Sequence, residues 1–360
     1  MNILALNSGS STLKFGLYRV DAAGIESLRS ETISTSDHAD LSTRLGKLVA
    51  EPGMPAPAAI GHRIVHGGPR LRQHCRIDAA VLRELQASAA FAPLHTPAAL
   101  ALIRFAQTHF PGLPQVACFD TQFHAGLPEV ARVLPIAREL LSDGMQRYGF
   151  HGLSLESIVR QLGNDVPERL VIAHLGHGAS ITAVRGGHSI DTSMGLTPSG
   201  GVIMGTRSGD LDPGVLVYLL REKKFDAARL EALVDQRSGL LGISGVSSDM
   251  RSLHEAAAAN PDARLAIRMF CASVRKQIAA MIAVLDGLDM LVFTGGIGEN
   301  DAQVRAEICN GLAWIGVSLD ESRNRAAGNP VSDGASRCQV HVLASQEDEQ
   351  IARHAWALLA

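Results

Sequence analysis

The apolar run Ile3-Leu4-Ala5-Leu6 gives way to the polar glycine turn Asn7-Ser8-Gly9-Ser10-Ser11 and resumes at Leu13-Lys14-Phe15-Gly16-Leu17. This is the pattern of a β-hairpin. The same grammar returns half a chain later, with apolar Leu170 to Ala173, the turn His174-Leu175-Gly176-His177-Gly178-Ala179-Ser180, and apolar Ile181 to Val184. Two such units predict two similarly built halves, each opening with a hairpin whose glycine turn can offer backbone amides to phosphate. Between Tyr18 and Ala59 the pattern is polar and uneven and ends in Glu51-Pro52-Gly53-Met54-Pro55-Ala56-Pro57, which predicts a peripheral connection. From Arg264 to Leu285, Phe270, Val274, Ile278, Met281, Ile282 and Leu285 recur at helical spacing, and Gly287 stands where a helix should stop. The apolar stretch Met290 to Phe293 then leads through Thr294-Gly295-Gly296-Ile297-Gly298-Glu299-Asn300-Asp301 into a helical pattern, a strand, turn and helix start of the kind that holds phosphate. Strands and helices alternate along the chain, so the class is α/β.

Composition narrows the partners. A chain of 360 residues has room for about two domains. With 46% hydrophobic and 19% charged residues it can bury real cores and is not a disordered tail. The 33 Lys and Arg against 36 Asp and Glu leave a net charge of −3, too balanced to hold nucleic acid or an anionic membrane by bulk electrostatics. Any anion must be held locally. Aromatics at 4% argue against stacking surfaces for bases, and 35 glycines argue for many tight turns. Cys75, Cys118, Cys271, Cys309 and Cys338 are odd in number and form no C-x-x-C pair, so a reducing compartment is expected. No basic leader and no run of about 18 apolar residues is present, and the expected location is the cytoplasm.

Chemistry concentrates in a few strings. No G-x-x-x-x-G-K-[ST] occurs, and Gly295 to Gly298 does not extend to G-x-G-x-x-G, so a P-loop or dinucleotide fold is disfavoured. In Ile60-Gly61-His62-Arg63-Ile64-Val65-His66-Gly67-Gly68 a period of two places Arg63 and Val65 on one face. A guanidinium beside an aliphatic wall suits a short carboxylate, gripped by both oxygens. His62 and His66 lack the H-E-x-x-H pattern of a zinc helix. Arg207 is the one arginine of the polar loop Gly205 to Gly214 and can meet charge on a transferring phosphoryl group, although a solvated loop has the same composition. Asp120 and His151 are ionisable groups among apolar neighbours, sensitive to any nearby charge or equally suited to a structural hydrogen bond.

Together the strings NSGSSTLKF from Asn7, GHRIVHGG from Gly61, APLHTP from Ala92, FDTQFH from Phe119, RYGFHG from Arg147, HLGHGAS from His174, GTRSGDLDP from Gly205, SGLLGISGVSSDMR from Ser238 and TGGIGEN from Thr294 resemble the acetate kinase family of short-chain carboxylate kinases. That family is part of the actin-like ATPase superfamily, with sugar kinases and heat-shock chaperones. The resemblance implies two duplicated ribonuclease H-like domains around a central cleft. Their expected bounds are an N-terminal, substrate-binding domain over 1–148, a C-terminal, nucleotide-binding domain over 149–345, and a segment 346–360 packing back on the first.

By the same resemblance the expected activity is reversible phosphorylation of acetate by ATP, giving acetyl phosphate and ADP. A kinase for propionate or another short acid is the near alternative, and a non-catalytic or chaperone-like ATPase of the same fold the distant one. Asp120, His151 and Arg207 match catalytic positions. Arg63, Val65, Leu94, Phe150 and Pro198 match the substrate site. Lys14, His174, Leu175, Gly176, His177, Gly178, Asp249, Met250, Arg251, Gly296, Ile297, Gly298, Glu299 and Asn300 match nucleotide-binding positions. Asn7 and Glu347 match the positions associated with Mg²⁺, for which Mn²⁺ is the alternative ion. The resemblance also implies a homodimer. Departures are His177 where the family has Asn, Leu153-Ser154-Leu155 after RYGFHG, and a shorter chain between Tyr18 and Ile60 and after Glu347.

Overall fold

Two mixed sheets that share a five-strand order organise the chain. The structure, a computed structural model, describes residues 1–9, 12–34, 54–93 and 95–360. The first sheet contains β1 (Asn2–Ser8), β2 (Thr12–Val20), β3 (Ile25–Ser34), β4 (Ala59–Ile64), β5 (Cys75–Arg76) and β6 (Gln115–Phe119), in the order β3-β2-β1-β4-β6-β5. β1 to β3 are antiparallel neighbours, whereas β4 runs parallel to β1 and β6 parallel to β4. The second sheet contains β7 (Arg169–Leu175), β8 (Ala179–Arg185), β9 (His188–Thr192), β10 (Met290–Thr294) and β11 (Gln339–Val342), in the order β11-β10-β7-β8-β9. Here too the first three strands are antiparallel and the last two run parallel to the first. Counted from the hairpin, the second sheet reads third, second, first, fourth, fifth, and the first sheet has the same order once the two-residue edge strand β5, antiparallel to β6, is set aside. This is one mixed α/β, ribonuclease H-like plan used twice, and both predicted hairpins are present.

Two compact units carry these sheets. The first comprises Met1–Ala125, His151–Ser157 and Gln346–Ala360, and the second Gly126–Phe150 and Ile158–Ser345. In the first unit, alternate β1 side chains enter opposite layers, as the two-residue period requires. Leu4 and Leu6 pack with Phe15, Leu17 and Ile60 against Leu102 and Ala106 of the helix Thr96–His109. Ile3 and Ala5 pack with Ala59 and Val116 against Ile351, Ala352 and Ala355 of the helix Glu347–Leu359. Each fully buried Leu or Ile contributes about 1.5–3 kcal/mol, so these two layers hold the sheet between its flanking helices.

Three expectations need correction. The stretch after Tyr18 is not all connection, since Ile25–Ser34 forms the edge strand β3. Its signal is weak because only one face is covered: Ile33 is buried, while Glu26 and Glu31 pair with Arg19 and Arg29. The remainder of that stretch, 35–53, lies outside the described residues. β4 stops at Ile64, before Val65 and His66, because Gly67 and Gly68 turn the chain, with Gly68 at φ +69°. The long helix runs Pro261–Leu285, but its left-handed stop is Asp286 at φ +60°, one residue before the expected glycine. Gly287 instead donates its N–H to Ile282 O at 3.0 Å.

Candidate active site

The parallel strands β1, β4 and β6 finish along one edge of the first sheet, the edge at which α/β proteins place ligands. Asn7 lies one residue from the end of β1, opposite Lys14 of β2. Arg63 lies one residue from the end of β4, and Asp120 follows β6 directly and donates its backbone N–H to Ile64 O at 2.9 Å. Pairing thus gathers side chains far apart in sequence. Arg63 donates from Nε at 2.9 Å and from Nη2 at 2.6 Å to the same oxygen, Asp120 Oδ2. Among the described residues its Nη1 makes only long bonds, 3.3 Å to Asn7 Oδ1 and 3.4 Å to Ser8 O.

The Asp120 side chain is 1% exposed and that of Arg63 13%, so the pair is largely removed from water. Burial pushes the Asp120 carboxyl up and Arg63 pulls it down, and the outcome is a rise to about 6. Burial alone would weaken the charge on Arg63. Asp120, Glu347 and Asp348 more than offset it, and the guanidinium is held above its ordinary value. Asp120 Oδ1 is buried and takes no hydrogen bond among the described residues.

Glu347 opens the C-terminal helix, and Asp348 follows it. Asn7 Nδ2 donates to Glu347 Oε2 at 2.9 Å and to Asp348 Oδ1 at 2.7 Å. Burial raises the Asp348 carboxyl, countered by the Asn7 bond and by Lys14 and Arg63. Glu347, Asp348 and Asp120 offer carboxylate oxygens and Asn7 an amide oxygen, all hard donors, and Asp120 Oδ1 is buried with no hydrogen bond among the described residues. Hard oxygen donors of this kind are those that Mg²⁺ or Mn²⁺ takes. Asp348 was not among the expected residues, although an acid adjacent to Glu347 was visible in the sequence.

His151 is buried and sits at φ +60°, a backbone region that side chains with a Cβ seldom occupy. It is held there from behind. Gly152 donates its N–H to Asp120 O at 2.8 Å, and a Cβ on Gly152 would lie 2.2 Å from that oxygen, so only glycine permits the approach. Val65 is buried just past β4. Leu94 lies outside the described residues.

In the second unit, His174 and Leu175 end β7 and the turn Gly176 to Gly178 leads into β8, closed by Gly176 N–H to Gly178 O at 3.0 Å. His177 O accepts from Gly205 N–H at 3.1 Å, and a Cβ on Gly205 would lie 2.9 Å from His177 Nδ1. Burial of the His177 ring and the charge of Arg207 push its pKa below the ordinary value. Arg207 is itself buried and donates to Pro198 O at 3.3 Å. Phe150 is buried in the same unit.

The other nucleotide candidates divide by environment. Asp249 caps the helix Met250–Ala256 through Ser252 N–H, Met250 is buried and Arg251 is exposed. Gly296, Ile297, Gly298, Glu299 and Asn300 form the short helix Gly295–Asn300, entered by Gly295 at φ +77° with the Leu175 carbonyl 2.7 Å from where its Cβ would stand. Glu299 Oε1 accepts from Gly295 N–H and Ser345 N–H, both at 3.0 Å, and Asn300 Nδ2 donates to Gly296 O at 2.9 Å. Glu299 therefore braces the turn from within.

Known proteins resemble this chain along nearly its whole length. The model of the acetokinase family matches residues 41–353. The acetate kinase of Methylocella silvestris is 41% identical over 397 aligned residues, covering 99% of this chain and 98% of that one. Among solved structures, a propionate kinase from Francisella tularensis subsp. tularensis superposes with a TM-score of 0.91 at 36% identity, covering 99% of both chains. The acetate kinase of Porphyromonas gingivalis superposes with a TM-score of 0.87 at 31% identity, covering both chains fully. With the family model matched over most of its length and relatives aligned end to end, the chain belongs to the acetokinase family.

Proposed function

We propose that this protein transfers the γ-phosphoryl group of ATP to the carboxylate of acetate, reversibly, giving acetyl phosphate and ADP. The observation that carries the reading is Arg63: Asp120 anchors two of its nitrogens, and among the described residues Nη1 has only two long bonds to exchange for an incoming carboxylate oxygen. Family membership favours a kinase over a non-catalytic ATPase of the same fold.

The residues perform mostly alignment and charge neutralisation. A substrate carboxylate is already an anion, so no base is needed, and its obstacle is repulsion from the phosphate. Arg63 binds and orients the carboxylate, and Val65 sets the room for its aliphatic end. One carboxylate oxygen attacks the γ-phosphorus in line while the bond from that phosphorus to the β-bridging oxygen breaks and its electron pair leaves with ADP. Arg207 and His151 meet the charge on the transferring group. Asp120 acts by holding Arg63. Asn7, Glu347, Asp348 and Asp120 would hold Mg²⁺, which would supply neutralisation of the polyphosphate. The turn His174 to Gly178, Lys14, the string Asp249 to Arg251 and the segment Gly296 to Asn300 are assigned to the nucleotide.

The finer attributes are part of the same proposal. A cytoplasmic location is supported by five unpaired cysteines. A homodimer is supported by Val215, Val217, Tyr218 and Leu220, all exposed on the helix Pro213–Arg221. Trapping acyl phosphate as a hydroxamate with acetate, propionate and butyrate as acceptors tests the reading. Acetate is expected to give the highest kcat/KM, and product from none of the three would refute a carboxylate kinase.

A further inference from the structure

The first unit holds a second charged cluster, outside the residues assigned to transfer. His74 Nε2, Glu156 Oε2 and His354 Nε2 lie within 4.8 Å of one another. His354 Nε2 donates to Glu156 Oε2 at 2.5 Å, Gln350 Nε2 reaches the same oxygen at 3.4 Å, and His74 Nε2 faces it from 3.9 Å. Two imidazoles and a carboxylate are also the donors of many zinc sites. Here the tautomer opposes a metal. The Phe119 backbone N–H donates to His74 Nδ1 at 2.9 Å, so Nδ1 carries the lone pair and Nε2 the proton. A metal-bound imidazole needs the reverse, with its remote nitrogen protonated and donating. His354 and Gln350 direct donors at the one carboxylate, whereas His74 Nε2 is buried without a hydrogen bond among the described residues and its ring packs tilted against that of His354, centroids 4.0 Å apart. Burial would raise that carboxyl, but His354 and His74 hold it down at about 2.

Each member adjoins an assigned residue, through a hydrogen bond, through the chain or on the same helix. His74 holds the N–H of Phe119, which precedes Asp120. Glu156 belongs to the helix that starts at Gly152, directly after His151, and Gly152 is bonded to Asp120 O. His354 and Gln350 belong to the helix whose first turn carries Glu347 and Asp348. We propose that His74, Glu156 and His354 are positioning residues for phosphoryl transfer, locking together the three elements that present Asp120, His151 and the Glu347–Asp348 pair. This proposal rests on the carboxylate-kinase reading.

The test compares Glu156→Gln, His354→Gln and His354→Ala, each shown to be folded by circular dichroism at the assay temperature. Glu156→Gln keeps the shape and loses the charge. It is expected to lower kcat at least about fivefold and to raise the Mg²⁺ concentration for half-maximal rate at least about threefold, with the KM for ATP within about twofold. His354→Gln keeps a donor toward Glu156 and should retain more than about half of kcat, whereas His354→Ala should fall below about a fifth. A folded Glu156→Gln with wild-type kcat and Mg²⁺ dependence overturns the proposal. So does calorimetric binding of Zn²⁺ alone by the wild type that His354→Ala abolishes. A wild type that forms no acyl phosphate overturns the functional reading first, and the positioning role with it.

Discussion

Arg63 spends two nitrogens on one oxygen of Asp120 and leaves the other, Oδ1, buried without a partner among the described residues. A carboxylate anchored on one side only can hold a cation's orientation while keeping an oxygen for a metal or a reacting group. The arrangement depends on Asp120 being ionised. Its carboxyl is raised to about 6 because burial outweighs the help from Arg63, so it is charged above that value and neutral below it. The kcat/KM profile is therefore expected to fall as pH drops through about 6. Asp120→Asn should be slow and lack that limb, and a variant that keeps the same limb would detach it from Asp120. Removing one partner of a buried ion pair costs about 3–5 kcal/mol, so Asp120→Ala should also melt well below the wild type.

Arg63 and Arg207 should fail differently when replaced. Arg63→Lys keeps a charge but cannot reach Asp120 and a substrate oxygen together as a planar fork does, so KM for the carboxylate should rise. Arg207 is assigned to charge that develops during transfer, and Arg207→Ala should lower kcat on the order of a hundredfold or more with a smaller change in KM. Steady-state kinetics on both variants separates the roles, and near-normal turnover by Arg207→Ala would remove its assignment.

His151 stands at φ +60°, a conformation disfavoured for residues with a Cβ but better tolerated by asparagine. His151→Asn and His151→Ala should both lose activity, because both remove the imidazole. Their stabilities should differ, with alanine about 1 kcal/mol less stable than asparagine for the backbone strain alone. Thermal melts of the pair measure this, and equal midpoints would show that the surrounding bonds absorb the strain.

The parts legible in the sequence are those with local chemistry. Glycine turns after apolar runs marked both hairpins, and Arg63 and Asp120 stood out as charges within apolar strings. What escaped depends on pairings remote along the chain. Asp348 meets Asn7 across 341 positions, and His354 meets Glu156 across 198, separations at which no periodicity operates. β3 escaped because an edge strand with one covered face alternates weakly. The left-handed stop at Asp286 escaped because an aspartate can occupy a conformation that a neighbouring glycine would have taken more readily.

Val65 is buried beside the arginine assigned to the carboxylate, so its methyls should limit the length of the acid. One methylene in an apolar pocket is worth about 1–3 kcal/mol, which makes acetate preferred over propionate without excluding it. Val65→Ala is expected to move the ratio of kcat/KM values toward propionate by about tenfold. A wild type that already prefers propionate would place the chain nearer the function named for its Francisella relative.

His177 occupies the turn between β7 and β8, with its ring against Gly205 and within the field of Arg207. Without nucleotide, burial first and Arg207 second favour the neutral imidazole. A polyphosphate brought to this turn acts in the opposite sense, favouring the imidazolium and drawing in a proton. Binding and protonation are then linked, and ATP should bind more tightly as pH falls from about 8 to about 6, with most of the gain at the acid end because the free ring starts below its ordinary value. Asparagine can donate and accept but cannot charge, so His177→Asn should flatten the profile. Calorimetry in two buffers of different ionisation enthalpy counts the protons taken up directly. Net uptake by the wild type and a smaller uptake by His177→Asn is the expected result, whereas superimposable profiles would leave the ring as packing against Gly205 with no electrostatic part in nucleotide binding.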